Sequence, residues 1–243
     1  MREEVVDAGF FGSSEGTRSG AARTVEVPMR AEVKGTWRVE EWNPEDFAQE
    51  QIRGLVRRVF FGSPERVVRQ VVFSAVEPET DVHRLCRLVG DALAEETTGS
   101  IAVSGNFAVP VEYPGKGLTL QQEDRGGMKR LRQGAWRVQE NTWLVPVERK
   151  HSVSASSLHQ YLSEVRREFE YSIVAACSAA HSNQALAMAQ FADGIILVLS
   201  AQHTRRATAL RIKQTLEGSR ARLMGTVLSD RLFPMPAALY RRL

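Results

Sequence analysis

The sequence predicts an α/β fold, a mostly parallel sheet with helices on both faces, and three observations carry that prediction. Short apolar runs recur at Val71–Val76, Ser100–Ser104, Ser172–Ala176, Gly194–Ser200 and Arg222–Ser229. Between them lie stretches whose apolar residues repeat every three or four positions, the period of a helix with one buried face. Turn formers, such as Gly62-Ser63-Pro64, Thr97-Thr98-Gly99 and Gly218, separate the two kinds of segment. Strands that alternate with helices of about 10–15 residues pair as parallel neighbours and are buried on both faces.

Taken in order, residues 1–42 have mixed charge and the glycine- and serine-rich run FGSSEGTRSGAART, the composition of a flexible segment. A short extended piece at Arg23–Val27 is the one element expected there. Residues 43–243 form the α/β domain. Asn43 can cap a helix that has Pro44 at its first position and runs to Phe61. Phe47, Ile52, Leu55 and Val56 form its apolar side; Glu50, Arg53 and Arg57 form its polar side. After the first strand, Asp81–Glu95 reads as a helix with Leu85, Leu88, Val89, Ala92 and Leu93 facing the core. Residues 106–150 read as an irregular, exposed excursion with a glycine pair around Lys116, a basic run at Lys129–Arg132 and one strand at Thr142–Val147. Further helices are expected at Ser154–Phe169, His181–Phe191 and Thr204–Leu216.

Composition excludes several classes. With 43% hydrophobic and 25% charged residues, the 243-residue chain is ordinary for a soluble domain. No apolar run approaches the ~20 residues of a membrane span, and the N-terminus has no signal-peptide pattern, so a cytoplasmic protein is expected. Cys86 and Cys177 have no ligand-like spacing and read as buried thiols of a reducing compartment. Net charge is +3, yet Thr204–Leu243 holds nine Arg or Lys against two acids. That segment reads as a solvated basic face, with nucleic acid, anionic lipid or an acidic protein as partners it could meet. The five histidines show no metal spacing, and His83 reads as an exposed helix-start residue. No Gly-x-Ser-x-Gly elbow accompanies the serines near strand ends.

The strand–turn–helix unit at Gln70–Ala94 has the outline of a phosphate-binding turn. Such a turn needs glycines for close backbone approach and a lysine to neutralise charge, with a helix N-terminus facing the anion. Here the turn is SAVEPETDV, Ser74 to Val82, with no glycine and no lysine. Glu77, Glu79 and Asp81 place carboxylates where phosphates would come, and like charges repel most strongly in a partly desolvated site.

The C-terminal third is more specific. Ala192-Asp193-Gly194 opens a strand, Thr204-Arg205-Arg206 starts a helix, and Gly225-Thr226-Val227-Leu228 closes the last strand. Upstream, RREFEYSIV at Arg166–Val174 leads into a buried strand, and Glu50-x-x-Arg53 with Arg57 lies on the first helix. This progression resembles the cytoplasmic domain of bacterial tyrosine autokinases of capsule and exopolysaccharide export, relatives of the MinD/ParA P-loop ATPases.

The resemblance implies a P-loop NTPase-like fold whose site motifs are altered. Asp81 stands at the position of the phosphate-binding lysine, and Val82 at that of the Mg²⁺-binding hydroxyl. The second motif, an Asp-x-Asp pair, corresponds to Ser104-Gly105-Asn106. The Walker B aspartate corresponds to Ala175, and the base-reading asparagine to Ser229. Ser74, Glu77 and Glu79 complete the vestigial nucleotide-binding set. The C-terminal tyrosine cluster is reduced to Tyr240. Glu50 and Arg53 resemble an oligomerisation motif, whose further arginine lies here at Arg57 rather than at Val56, while Arg205, Arg206 and the tail around Tyr240 are candidates for docking. The expected function is that of a non-catalytic binding or regulatory subunit without cofactor or metal. Its expected partners are further copies of itself, a membrane-anchored polysaccharide chain-length regulator, or an active kinase paralogue. Two alternatives follow from the same resemblance: a tyrosine kinase or ATPase that uses ATP and Mg²⁺ in a site completed by a partner, and a ParA/MinD-like protein associated with DNA or membrane.

Overall fold

A computed structural model describes residues 44–105, 119–120, 131–147, 154–219 and 221–229. Residues 1–42, expected to form a flexible segment with an extended piece at Arg23–Val27, lie outside the described residues, as do Asn43, Asn106, Lys116, Lys129 and Tyr240. In chain order the elements are α1 (Pro44–Phe60), β1 (Gln70–Ala75), α2 (Val82–Glu96), β2 (Ile101–Gly105), β3 (Thr119–Leu120) and a 3₁₀ turn (Leu131–Gly134). They continue with β4 (Trp136–Arg137), β5 (Thr142–Pro146), α3 (Ala155–Glu168), β6 (Tyr171–Ala176), α4 (Gln184–Phe191), β7 (Gly194–Ser200), α5 (Arg206–Gly218) and β8 (Leu223–Ser229).

Among the described residues eight strands form one sheet in the order β3-β4-β5-β2-β6-β1-β7-β8. From β5 to β8 every pairing is parallel; β4 and β3 extend the β5 edge antiparallel. Alternate residues of the strands face opposite layers. Val71, Phe73, Ile101, Val103 and Ile173 pack under α1 and α2, against Leu55, Val56, Leu85, Val89 and Leu93. Val72, Ala102, Val174, Ile195 and Leu197 pack under α3, α4 and α5, against Leu158, Val165, Met188, Ile212 and Leu216. β1 lies between β6 and β7, and all six of its residues are buried. That is why this strand reads as a continuous apolar run rather than an alternating one.

Several expectations are corrected here. Leu88 is 39% exposed; Cys86 and Gly90 sit on the buried face of α2 instead, so the stripe turns away from Leu88. Cys177 is an exposed thiol just past β6, with its Sγ 3.1 Å from Gln184 Oε1. α4 starts three residues later than the pattern predicts, because Ser178–Ser182 closes its own turn: Ser182 N donates to Ser178 O at 2.9 Å. α5 starts at Arg206, because Thr204 bends back on β7, its Oγ1 accepting from Ser200 N at 2.9 Å.

The largest difference lies in residues 131–147: the strand expected at Thr142–Val147 is present as β5, but the segment is not the exposed excursion it reads as. β5 is a sheet strand parallel to β2, with Trp143, Leu144 and Val145 buried. The 3₁₀ turn before it is anchored by Glu168, whose carboxylate accepts from Leu131 N and Arg132 N at 3.1 and 3.2 Å. The Arg132 guanidinium then lies over the Trp143 and Phe169 rings. Charged residues that suggested a solvated loop thus hold the segment against the sheet.

Candidate functional site

In open parallel sheets, ligands bind beyond the C-terminal strand ends, where successive connections leave in opposite directions. In this chain that point lies between β1 and β6. From β1 the chain crosses by α2 on one face to β2; from β6 it crosses by α4 on the other face to β7. The β1–α2 turn and the β6–α4 loop therefore form the walls of the candidate crevice.

The wall from β1 is capped by one of its own side chains. Asp81 is the N-cap of α2, and its Oδ1 accepts from Arg84 N at 2.9 Å. Val82 N donates to Thr80 O at 2.9 Å, and Val82 itself is buried. A carboxylate fixed at a helix N-terminus occupies the place an anionic ligand would take and interacts favourably with the same dipole. Glu77 is half-buried and Glu79 exposed along the same turn.

The opposite wall is joined to the first by direct hydrogen bonds. Ser74, fully buried, donates from Oγ to Cys177 O at 2.6 Å. Ser178 Oγ donates to Val76 O at 2.6 Å, and Ala179 N to Ala75 O at 2.8 Å. Ser178 Oγ is also 3.1 Å from His181 Nδ1. Since the hydroxyl proton goes to Val76 O, the imidazole is the donor in that second contact, so this serine is not activated as a nucleophile.

His83 is half-buried with its Nδ1 shielded from solvent, a correction of the exposed residue expected from sequence. Its ring packs on the end of β2: a methyl group on Gly105 would stand 2.7 Å from His83 Nδ1 and 3.1 Å from Ala175 Cβ. An imidazole, a glycine and an alanine thus meet near the position where the resemblance puts metal-binding carboxylates. Burial pushes the His83 pKa down and Arg87 adds to that, while Asp81 opposes it; the net direction is down. The only sequence signal for this role is the position of His83, one residue past the altered motif.

The remaining predicted residues are spread over the fold. Ser104 points away from the crevice and shares a short hydrogen bond with the buried Tyr161 hydroxyl of α3. Ser229, buried at the end of β8, donates from Oγ to Leu199 O at 3.3 Å. Arg53 pairs with Glu95 at 3.2 Å and lies 3.9 Å from Glu50; Arg57 pairs with Glu96 at 2.7 Å. Both arginines join α1 to α2. Arg205 and Arg206 are exposed at the start of α5.

Sequence reasoning placed Asp193 in a motif without giving it a task. Its Oδ2 accepts from Arg69 N and Gln70 N at 2.8 and 2.9 Å, and its Oδ1 from Arg166 at 2.9 Å. Burial raises its pKa, but these three donors outweigh it and hold the carboxyl below its ordinary range. The next residue, Gly194, lets β8 approach: a Cβ there would lie 2.4 Å from Met224 Cγ and 2.9 Å from Arg222 O. The Ala-Asp-Gly motif is therefore a joint between β1, α3, β7 and β8.

Among the described residues no group of three or more His, Cys, Asp or Glu side chains can hold a metal ion, and no helix is long and apolar enough to cross a membrane. No protein-family model matches the sequence, and no curated protein matches it significantly. Solved structures do match. The VpsO kinase domain superposes with a TM-score of 0.60 at 14% identity, over 78% of this chain and 98% of that one. The kinase domain of the Escherichia coli tyrosine kinase ETK gives 0.60 at 13%, over 86% and 82%.

The chain has the fold of bacterial tyrosine kinase domains.

A ParA family ATPase from Chlorobium tepidum gives a TM-score of 0.50 at 11% identity, over 66% of this chain and 72% of that one. At these identities the fold is what is shared. Within this kinase fold, the β1–α2 turn carries a carboxylate cap where its outline suggests a phosphate cradle.

Proposed function

We propose that this chain is a non-catalytic relative of the bacterial tyrosine autokinases, a binding or regulatory subunit that keeps the kinase fold without its nucleotide chemistry. The observation that carries this reading is Asp81, whose carboxylate caps α2 and takes the Arg84 N–H. Glu77 and Glu79 add negative charge along the same turn, and Ala175 and Gly105 supply no carboxylate beside it. Phosphoryl transfer depends on positioning and on charge neutralisation by cations, including the metal ion that bridges the phosphates. Among the described residues the one lysine is Lys213, which lies on α5 near Glu217 at 3.6 Å. A place in exopolysaccharide or capsule production, beside a membrane-anchored chain-length regulator or an active kinase paralogue, follows from the sequence resemblance.

The test is calorimetric titration of ATP and ADP with Mg²⁺ into the full chain. The expected result is no binding up to millimolar nucleotide, with partners then found by co-purification. Micromolar binding would overturn the reading, because the acidic turn would not then be guarding an empty phosphate site.

A further inference from the structure

Between α4 and α5 the helix layer leaves an open groove of about 240 Å³. Its floor is apolar. Ile212 and Leu216 are the buried residues of α5, and Ala180 and Leu186 lie half-buried against them. The far ends of the two helices are tied together, Gln190 Nε2 donating to Ser219 O at 3.1 Å. The groove reaches the start of α4, where Ser182 and Asn183 form its rim.

The rim carries one charge and several groups that suit a peptide backbone. Arg211 stands exposed on the α5 side. Among the described residues no acid pairs with it, since Glu217, the acid of α5, is taken by Lys213 at 3.6 Å. Asn183 is exposed and its side chain makes no capping bond, so its amide can both donate and accept. Ser182 Oγ accepts from Gln184 N at 3.1 Å and keeps its own proton, whereas Thr215 donates to Arg211 O at 3.0 Å and keeps its lone pairs. From Cys177 to Phe191 the α4 wall holds no Asp, Glu, Lys or Arg, while Arg205, Arg206, Arg211 and Lys213 outnumber Glu217 on the α5 side. The surface around the groove is therefore cationic.

Size decides between a small molecule and a protein. Pockets for small molecules enclose roughly 300–1,000 Å³; this open groove is smaller and has room for one large apolar side chain. Protein interfaces are anchored by such side chains in such pockets. We infer that the groove docks an acidic segment of a partner protein through one apolar anchor. The anchor lies on Leu186, Ile212 and Leu216, a neighbouring carboxylate meets Arg211, and Asn183 takes backbone groups. This names a surface for the binding subunit proposed above and rests on that reading only in requiring a partner.

The experiment follows the Ile212 δ1-methyl by nuclear magnetic resonance in the methyl-labelled full chain, its signal assigned by its loss in Ile212→Leu. The probes are short synthetic peptides in which a leucine, methionine or phenylalanine is flanked by aspartates and glutamates. Two control sets carry lysine in place of the acids, or serine in place of the apolar residue. The inference expects a saturable shift with at least one acidic, apolar peptide, weakening as salt is raised. Arg211→Glu, at an exposed position, should weaken binding at least about tenfold, because attraction becomes repulsion. Leu186→Gln should weaken it through the floor. No saturable shift, equal shifts with the lysine or serine peptides, or undiminished binding in Arg211→Glu overturns the inference. A shift that grows with protein concentration alone also overturns it, by assigning the groove to a second copy of the chain. Nucleotide binding in the calorimetric titration, with the peptide shift intact, would remove the non-catalytic reading and support the groove independently.

Discussion

Asp193 shows how one side chain can hold several elements, since its carboxylate joins the start of β1 and Arg166 of α3 from the residue before β7. Asp193→Ala is expected to destabilise the chain by about 1–3 kcal/mol, because backbone donors lose their acceptor; urea unfolding measures this. The carboxyl is held below its ordinary range when folded. Its contribution is therefore full above the unfolded value of about 3.9 and is lost as pH falls through the lower folded value. The stability gap between the parent and Asp193→Asn should close in strong acid. His83 behaves in the opposite chemical sense but with the same sign. Its pKa is lowered on folding, chiefly by burial, so the unfolded chain binds the extra proton first. The stability that neutral His83 allows is complete above about 6.5 and declines as pH falls below that. Unfolding midpoints of the parent should drop between neutral and mildly acid pH, and those of His83→Gln should drop less.

At the scale of elements, α2 decides what the crevice can be. Asp81→Ala is expected to cost about 0.5–2 kcal/mol, the usual worth of an N-cap, measured by thermal or urea unfolding. A neutral outcome would mean that the Asp81–Arg84 bond does not stabilise the helix and that the carboxylate is free for another use. Most of this layer was legible in the sequence. β7 begins and ends where its apolar run does, and α3 lies between Ser154 and Phe169, its two cap residues. Periodicity and turn chemistry are local, so local reading recovers them. Contacts between distant residues are not. The capture of residues 131–147 by the sheet depends on Glu168 and Phe169, which lie beyond α3's start in the chain. The exposure of Cys177 depends on the β6–α4 loop turning outward after Ser74 takes its carbonyl. For the same reason the sequence marked Ser104 as a site residue: its place at a strand end is visible, whereas the side on which Tyr161 meets it is not.

For the molecule as a whole, the α1–α2 face bears most directly on assembly. Arg53 and Arg57 bind Glu95 and Glu96 across that face, largely in solvent. Exposed pairs of this kind contribute little to folding. Arg53→Ala combined with Arg57→Ala should thus leave the unfolding midpoint nearly unchanged. If this face joins copies of the chain, the same double variant lowers the sedimentation coefficient; an unchanged coefficient would confine both arginines to joining α1 and α2. The sheet order has a further consequence, in the time domain. β1 finds its neighbours in β6 and β7, with Gln70 beside Ser172 and Val71 beside Gly194, more than a hundred residues later in the chain. During synthesis this fully buried strand is therefore made long before either partner exists, and long-range parallel pairing is slow to form. Until β6 and β7 follow it, the apolar segment Gln70–Ala75 is a bare strand with two open edges. This interior strand of the finished sheet is also the stretch with the longest wait, and the greatest need of protection, on the ribosome.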